Sequence, residues 1–222
     1  MDHDFTSEQY RELIQTYTQA AVPPLVPEIR LYLAEQIVPI WEATERWLGK
    51  KNVPPPFWAF CWPGGQVLAR YILDRPEIVQ RRRVLDFAAG GGIVAIAAAQ
   101  AGAASAVAND IDALAMAVAK ANAELNHVAI DLLPCDLLGT SERRWDVILA
   151  GDICYEKTLA ERVKQWLWSM AARGVTVLIG DPGRTYLPDS GLVRQAQYLV
   201  PTTLELENMT SRNTSVLQVV VA

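Results

Sequence analysis

The sequence predicts an α/β fold: a seven-stranded, mostly parallel sheet that ends in an antiparallel hairpin and follows an N-terminal helical extension. Three observations predict it. From residue 83 onward, short apolar runs alternate with segments of helical period. The runs are nearly continuous in apolar residues, as strands covered on both faces require. The last two runs are joined by a polar stretch too short for a helix, so the alternation stops in a hairpin.

Residues 1–56 read as the helical extension and its linker, and residues 57–222 as the main domain. Thr6 can cap a first helix, with Gln9 at the third following position and Tyr10, Leu13, Ile14 and Tyr17 at helical spacing. Pro23, Pro24 and Pro27 interrupt the chain. Pro27 suits the first turn of a second helix over 28–37. Pro39 kinks or restarts it into 41–48, Gly49 ends it, and Pro54-Pro55-Pro56 forms a stiff extended linker. A helix over 64–73 stops near Pro76. Strands are then expected at 83–88, 105–109, 129–133, 145–150 and 175–180. Helices are expected at 91–101, 113–125, 157–170 and 191–198. The terminal hairpin is expected from 202–207 and 214–221, joined through 208–213.

Bulk properties narrow the function. The chain has 222 residues, 51% hydrophobic and 20% charged, enough for one well-buried α/β domain. Its formal net charge of −5 disfavours sequence-independent nucleic-acid binding, and Arg81-Arg82-Arg83 reads as a solvated loop. The apolar run 93–101 is too short to span a bilayer. Three cysteines, Cys61, Cys135 and Cys154, suit a reducing compartment. The acidic start, Met1-Asp2-His3-Asp4, has no secretory pattern, so a cytoplasmic protein is expected, and separately a monomer. His3 and His127 are too isolated to argue a metal site. Cys154 has no evident neighbouring base for a thiol nucleophile.

The first strand runs through Val84-Leu85-Asp86-Phe87 into Ala88-Ala89-Gly90-Gly91-Gly92, which opens a helix. Such a turn brings backbone N–H groups close to a ligand, although many structural connectors share it. Three downstream acids strengthen the ligand reading. Asp110 closes the second strand, where a carboxylate can hold both ribose hydroxyls. Asp136 follows the third, where it can accept a hydrogen bond from an adenine amino group. Asp152 follows the fourth. With Asp86, all fall at strand C-termini, the edge where open α/β sheets bind ligands. Asp112, just before the next helix, reads instead as its N-cap.

Pro56-Phe57-Trp58-Ala59-Phe60-Cys61-Trp62-Pro63-Gly64-Gly65, Val84-Leu85-Asp86, Asn109-Asp110-Ile111-Asp112, Gly151-Asp152-Ile153-Cys154-Tyr155 and Gly180-Asp181-Pro182-Gly183-Arg184 together carry a resemblance over roughly residues 54–222. The chain resembles the seven-stranded, Rossmann-like protein lysine methyltransferases with an Asp-x-x-Tyr motif. Within them it resembles the electron transfer flavoprotein β-subunit lysine methyltransferases, in a bacterial version. The resemblance implies S-adenosyl-L-methionine as cofactor, S-adenosyl-L-homocysteine as product, and electron transfer flavoprotein β subunit as protein partner. It implies that Trp62 borders the cofactor and that Gly90, Gly92 and Asp86 lie at its methionine part. Asp110 would hold the ribose, and Asp136 the adenine. Asp152 and Tyr155 would receive the target lysine, Asp152 orienting the amine and Tyr155 shaping the entrance. Ala88 departs from the family's usual glycine. A sulfonium cation without phosphates also suits a site rich in carboxylates.

Three alternatives stay open at this point. One is a methyltransferase acting on a ribosomal protein or a small amine. The second is a NAD-binding oxidoreductase, against which the terminal hairpin and the spread of acids argue. The third is a non-catalytic binding module that keeps the fold without the activity.

Overall fold

The computed structural model describes residues 7–49 and 51–221. Thr6 and His3 lie outside them. In chain order the elements are α1 (Ser7–Tyr17), β1 (Gln19–Ala21), β2 (Leu31–Leu33), α2 (Ile37–Leu48), α3 (Pro63–Asp74), β3 (Arg83–Phe87), α4 (Ile93–Gln100), β4 (Ser105–Asn109) and α5 (Ala113–Leu125). They continue as β5 (Asp131–Leu133), β6 (Val147–Gly151), α6 (Lys157–Ala172), β7 (Thr176–Asp181), β8 (Leu192–Pro201), α7 (Leu204–Glu207) and β9 (Ser211–Val219).

The main sheet has seven strands in the order β5-β4-β3-β6-β7-β9-β8. The five strands from β5 to β7 run parallel, and β9 pairs antiparallel with both β7 and β8. Strand order reverses at β3, whose neighbours are β4 and β6, so a crevice opens at its C-terminal end. Period-two alternation sends side chains to two cores. Val84, Val147, Leu149 and Leu178 pack under α3 and α4, while Leu85, Ile148, Val177 and Ile179 pack under α6. This is why the strands read as continuous apolar runs. Among the described residues no helix is long and apolar enough to cross a membrane.

Three local expectations are corrected. The segment expected as a helix over 28–37 instead contains β2, antiparallel to β1. Val26, Ile29 and Leu31 are sunk in the main core. The backbone N–H groups of Arg30 and Tyr32 donate to Asn126 Oδ1 at 2.9 Å and Asn122 Oδ1 at 2.7 Å on α5. These tertiary bonds replace the intrahelical ones that Pro27 had suggested. The expected helix over 191–198 is strand β8, because pairing with β9 satisfies its backbone. The hairpin is therefore β8–β9, and residues expected as its first strand form α7, capped by Thr203. Other expectations hold. Gly49 ends α2 at φ +61°, and Asp112 Oδ1 caps α5 by accepting from the Leu114 N–H. Arg81, Arg82 and Arg83 are exposed, with Arg83 paired to Asp146 at 2.9 Å.

Candidate cofactor and substrate site

The crevice beside β3 is a cleft between the glycine loop and the Phe57–Trp62 segment, roofed in part by Leu31 and Leu33 of β2. It gathers Trp62, Asp86, Gly90 and Asp152 into its walls. Gly92, Asp110, Asp136 and Tyr155 lie outside those walls and relate to the cleft in other ways.

The loop leaves β3 through alternating left-handed residues: Ala88 at φ +54°, Gly90 at +51° and Gly92 at +77°. Gly92 is the N-cap of α4 and has no side chain to offer. Asp86 fills that role from the strand. Its Oδ2 accepts from the Ala95 N–H at 3.0 Å. Burial pushes the Asp86 carboxyl up to about 8 against that hydrogen bond, and nearby Asp110 adds to the rise. Gly92 also permits close packing, since a Cβ there would sit 3.0 Å from that of Ala119 on α5.

Ala88 occupies the left-handed region as a non-glycine residue, which costs about 1–2 kcal/mol. It is exposed, so its methyl contributes little packing. Glycine would remove the strain but lose up to about 1 kcal/mol of chain entropy. Ala88→Gly is therefore expected to stabilise the fold by about 0.5 kcal/mol. Urea unfolding checks this, and a lowered midpoint would contradict it.

Asp110 ties the end of β4 to the loop. Its Oδ2 accepts from the Gly90 N–H and its Oδ1 from the Asp112 N–H, both at 3.0 Å. Asp136, beyond β5, is exposed. It accepts from the Leu138 N–H at 2.9 Å and pairs with Arg162 at 3.0 Å. The Leu138 bond, then Arg162, holds its carboxyl below the usual range despite slight burial.

Sequence reasoning missed two asparagines here. Buried Asn109 donates to the carbonyls of Leu133 and Cys135, at 2.7 and 2.8 Å, and so fastens the end of β5. Fully buried Asn122 donates to the Gly91 carbonyl at 2.9 Å while accepting from Tyr32. It couples the glycine loop to the N-terminal hairpin. Nothing local distinguishes either residue from an ordinary strand-end or helix asparagine.

The wall formed by the Phe57–Trp62 segment and Asp152 is aromatic and acidic. Trp62 is half-buried. Its Nε1 donates to the Phe57 carbonyl at 2.8 Å, and its ring meets Phe57 and Phe60 edge to face. Phe57 also contacts Tyr155 with centroids 5.7 Å apart. Tyr155 is half-exposed and adjoins the cleft through Phe57. Burial raises its phenol pKa, with the negative charges of Asp110 and Glu156 contributing.

Asp152 follows β6 in the left-handed region at φ +54°, a conformation aspartate tolerates better than most residues. Its side chain is only 10% exposed. Oδ2 accepts from the Gly64 N–H at the start of α3. Oδ1 accepts from Arg184 Nη2 at 2.7 Å and Nε at 3.2 Å. Burial raises the Asp152 carboxyl to about 6, although Arg184 and the Gly64 bond pull it down. The Cys154 thiol is pushed up to about 12 by burial and by the charges of Asp181 and Asp152, which removes it as a nucleophile near neutrality.

The cleft suits a cationic nucleoside sulfonium. Among the described residues, two carboxylates and several aromatic and apolar groups line it, with no lysine or arginine. Arg184 offsets the charge of Asp152 and burial raises Asp86 to about 8, so the acids add little net charge. The aromatic faces of Phe57, Phe60 and Trp62 are what suit a sulfonium. The left-handed loop leaves its backbone close to any occupant.

Comparison with known proteins agrees with this chemistry. Residues 68–166 match the family model described as ribosomal protein L11 methyltransferase (PrmA). The electron transfer flavoprotein beta subunit lysine methyltransferase of Danio rerio is 42% identical over 193 residues, covering 83% of this chain and 72% of that protein. The ribosomal protein L11 methylase of Lactobacillus delbrueckii subsp. bulgaricus superposes with a TM-score of 0.51 at 22% identity, covering 73% of this chain and 81% of that one. The magnesium protoporphyrin IX methyltransferase of Synechocystis PCC 6803 with bound SAM superposes with a TM-score of 0.52 at 16% identity. It covers 69% of this chain and 78% of that one. These two likenesses establish the fold alone.

Proposed function

Because the chain belongs to the electron transfer flavoprotein β-subunit lysine methyltransferase family, we propose that it methylates lysine side chains of electron transfer flavoprotein β subunit. It is an S-adenosylmethionine-dependent methyltransferase. The observation that carries the proposed mechanism is the placement of buried Asp152 in a wall of the cleft that also contains Gly90, Asp86 and Trp62. The PrmA match spans α3 to most of α6, the half that carries the glycine loop. That match also includes Asp152 and Tyr155, but the 42% identity to the lysine methyltransferase extends over 193 residues, which favours a flavoprotein substrate over a ribosomal one.

When bound, S-adenosylmethionine supplies an electrophilic methyl group, which an amine lone pair takes as the carbon–sulfur electron pair passes to sulfur. In our reading Gly90 and Gly92 admit its methionine part with Asp86 holding the loop. Trp62 borders it, Asp110 receives the ribose and Asp136 the adenine. Asp110 already binds the Gly90 N–H, so it links ribose recognition to loop position.

The incoming lysine carries a cation at neutral pH, with an ordinary pKa of about 10.4. Asp152 attracts that cation to the cleft wall, and Tyr155 and Phe57 sleeve its alkyl stem. Arg184 beside Asp152 tempers the attraction, so the ammonium is guided without being locked in its charged form. Loss of its proton to water leaves the neutral amine that the reaction needs. Positioning of that amine is the larger contribution to rate. The cytoplasm as site of action is supported by three free cysteines. Action as a monomer belongs to the same proposal.

Mass spectrometry of electron transfer flavoprotein β subunit after incubation with this enzyme and S-adenosylmethionine tests the substrate. Lysines heavier by one or more methyl groups are expected. Unmodified lysines would remove this substrate and leave the family and fold standing.

A further inference from the structure

A buried charge cluster joins the substrate motif to the C-terminal hairpin. Glu207, the last residue of α7, is 3% exposed. Its carboxylate accepts from Arg184 through both Nη1, at 3.1 Å, and Nη2. It also accepts from Arg212 Nε at 3.0 Å. Arg184 in turn reaches Asp152 Oδ1 through Nη2 and Nε. The Arg184 backbone is held as well, because Asp181 Oδ1 accepts from the Gly183 and Arg184 N–H groups at 2.7 Å each. Its guanidinium lies 5.9 Å from the Trp62 ring centroid, at the cleft mouth.

We propose that Arg184 and Glu207 are positioning residues for methyl transfer: Glu207 fixes the guanidinium of Arg184, and Arg184 fixes the carboxylate of Asp152 at the cleft wall. The inference rests on the reading that Asp152 receives the substrate amine.

The physical argument has three parts. A carboxylate as buried as Asp152 protonates unless a counter-charge faces it. Arg184 is the cation bonded to it. Asp181 opposes that effect from the end of β7, while Cys61 and Cys154 face it as un-ionised thiols. Second, arginine has a long side chain with many rotamers, so one contact would hold it poorly. Glu207 binds two of its nitrogens, and its planar fork makes that pairing directional. Third, Glu207 would itself be an uncompensated buried charge without Arg184 and Arg212. The cluster is thus coupled from the hairpin to the site, across 55 positions of sequence between Asp152 and Glu207.

The experiment uses full-length enzyme carrying Arg184→Met, Arg184→Lys, Glu207→Gln or Asp152→Asn. The Asp152 carboxyl is followed by carbon-13 NMR titration in the wild type and in the first three variants. Methylation rates of electron transfer flavoprotein β subunit are followed against pH in all four. Arg184→Met is expected to move the Asp152 titration and the acid limb of kcat to higher pH, because the folded state loses the cation that favours the carboxylate. Glu207→Gln keeps that cation and is expected to move them the same way, because the guanidinium, no longer held, leaves Asp152. At neutral pH kcat is expected to fall about tenfold, with partial recovery at higher pH and in Arg184→Lys. Affinity for S-adenosylhomocysteine is expected to stay within twofold.

An unmoved Asp152 titration in both Arg184→Met and Glu207→Gln would overturn the proposal, whatever the substrate. So would slower rates with an unmoved acid limb, which would signal only a structural role. If Arg184→Met fails to fold, the near-isosteric Glu207→Gln decides, an upward shift of the Asp152 titration supporting the proposal and an unmoved or downward one overturning it. Wild-type rates in Asp152→Asn with a shifted titration would place the failure in the reading of Asp152. A disabled Asp152→Asn with an unshifted titration would place it in the positioning.

Discussion

Gly180→Ala is expected to destabilise the protein by about 3 kcal/mol or more, a large part of a typical domain's stability. The reason is a backbone-to-backbone contact that sequence patterns do not reveal. The start of α3 lies directly against the ends of β6 and β7. A Cβ on Gly180 would sit 2.1 Å from the Gly64 carbonyl oxygen, 2.8 Å from its carbonyl carbon and 2.9 Å from Leu68 Cγ. The first two atoms are backbone and cannot rotate away. Gly64 and Gly151 complete the contact from the other sides, with a Cβ on Gly64 reaching 2.2 Å from the Gly180 oxygen. Relief would require α3 to lift from the sheet. That would pull buried Val67, Leu68 and Ile72 from the core and separate the Gly64 N–H from Asp152. Urea unfolding by circular dichroism measures the effect. Gly139→Ala is the control, because Gly139, unlike Gly180, has positive φ (+88°) but no atom within 4 Å of a new Cβ. Its cost is about 1–2 kcal/mol, from backbone strain alone. Equal losses in the two variants would refute the close-contact explanation.

Asp152→Asn is expected to lower kcat by about 100-fold while leaving S-adenosylhomocysteine affinity within about threefold. Asparagine has nearly the same shape and also tolerates the left-handed backbone at φ +54°, so the variant isolates charge from strain. It keeps an oxygen for the Gly64 N–H or for Arg184, but not the carboxylate that serves both. Two consequences follow from the lost charge. The substrate ammonium has less to draw it to the cleft wall, and Arg184 is left as a half-compensated cation near the place where another cation must enter. Transfer from labelled S-adenosylmethionine measures the rate, and calorimetry measures product binding. A rate near wild type would end the assignment of Asp152 to the amine. The fold would be untouched by that outcome, since seven-stranded topology rests on strand pairing rather than on this residue.

Much of the fold was legible because parallel strands buried on both faces leave continuous apolar runs, and caps leave local marks. Asp112 is an example, since its capping bond spans only two residues. The misread segments share one cause. Tyr32 and Arg30 satisfy their N–H groups on asparagines about 90 positions away, and β8 satisfies its own on β9. A helix-compatible pattern loses to such distant partners, and no local window contains them. The same limit applied at the site. Gly90, Asp86 and Asp110 were visible as strand-end residues around a glycine turn. Glu207 carried no signal, because its role depends on Arg184 and Arg212 converging on it in a buried place.

By itself the sequence determined the parallel α/β class and the loop that follows Asp86, which depend on periodicity and on spacing along one strand or turn. The motif from Asp152 to Tyr155 was marked by its resemblance to a family. Only the tertiary structure decided that the N-terminal segment folds as a hairpin roofing the cleft and that 192–201 is a sheet edge. It alone decided that Asp152 is held between the start of α3 and Arg184. Those outcomes depend on which distant backbone groups and charges meet once water is excluded, and burial makes such partners obligatory.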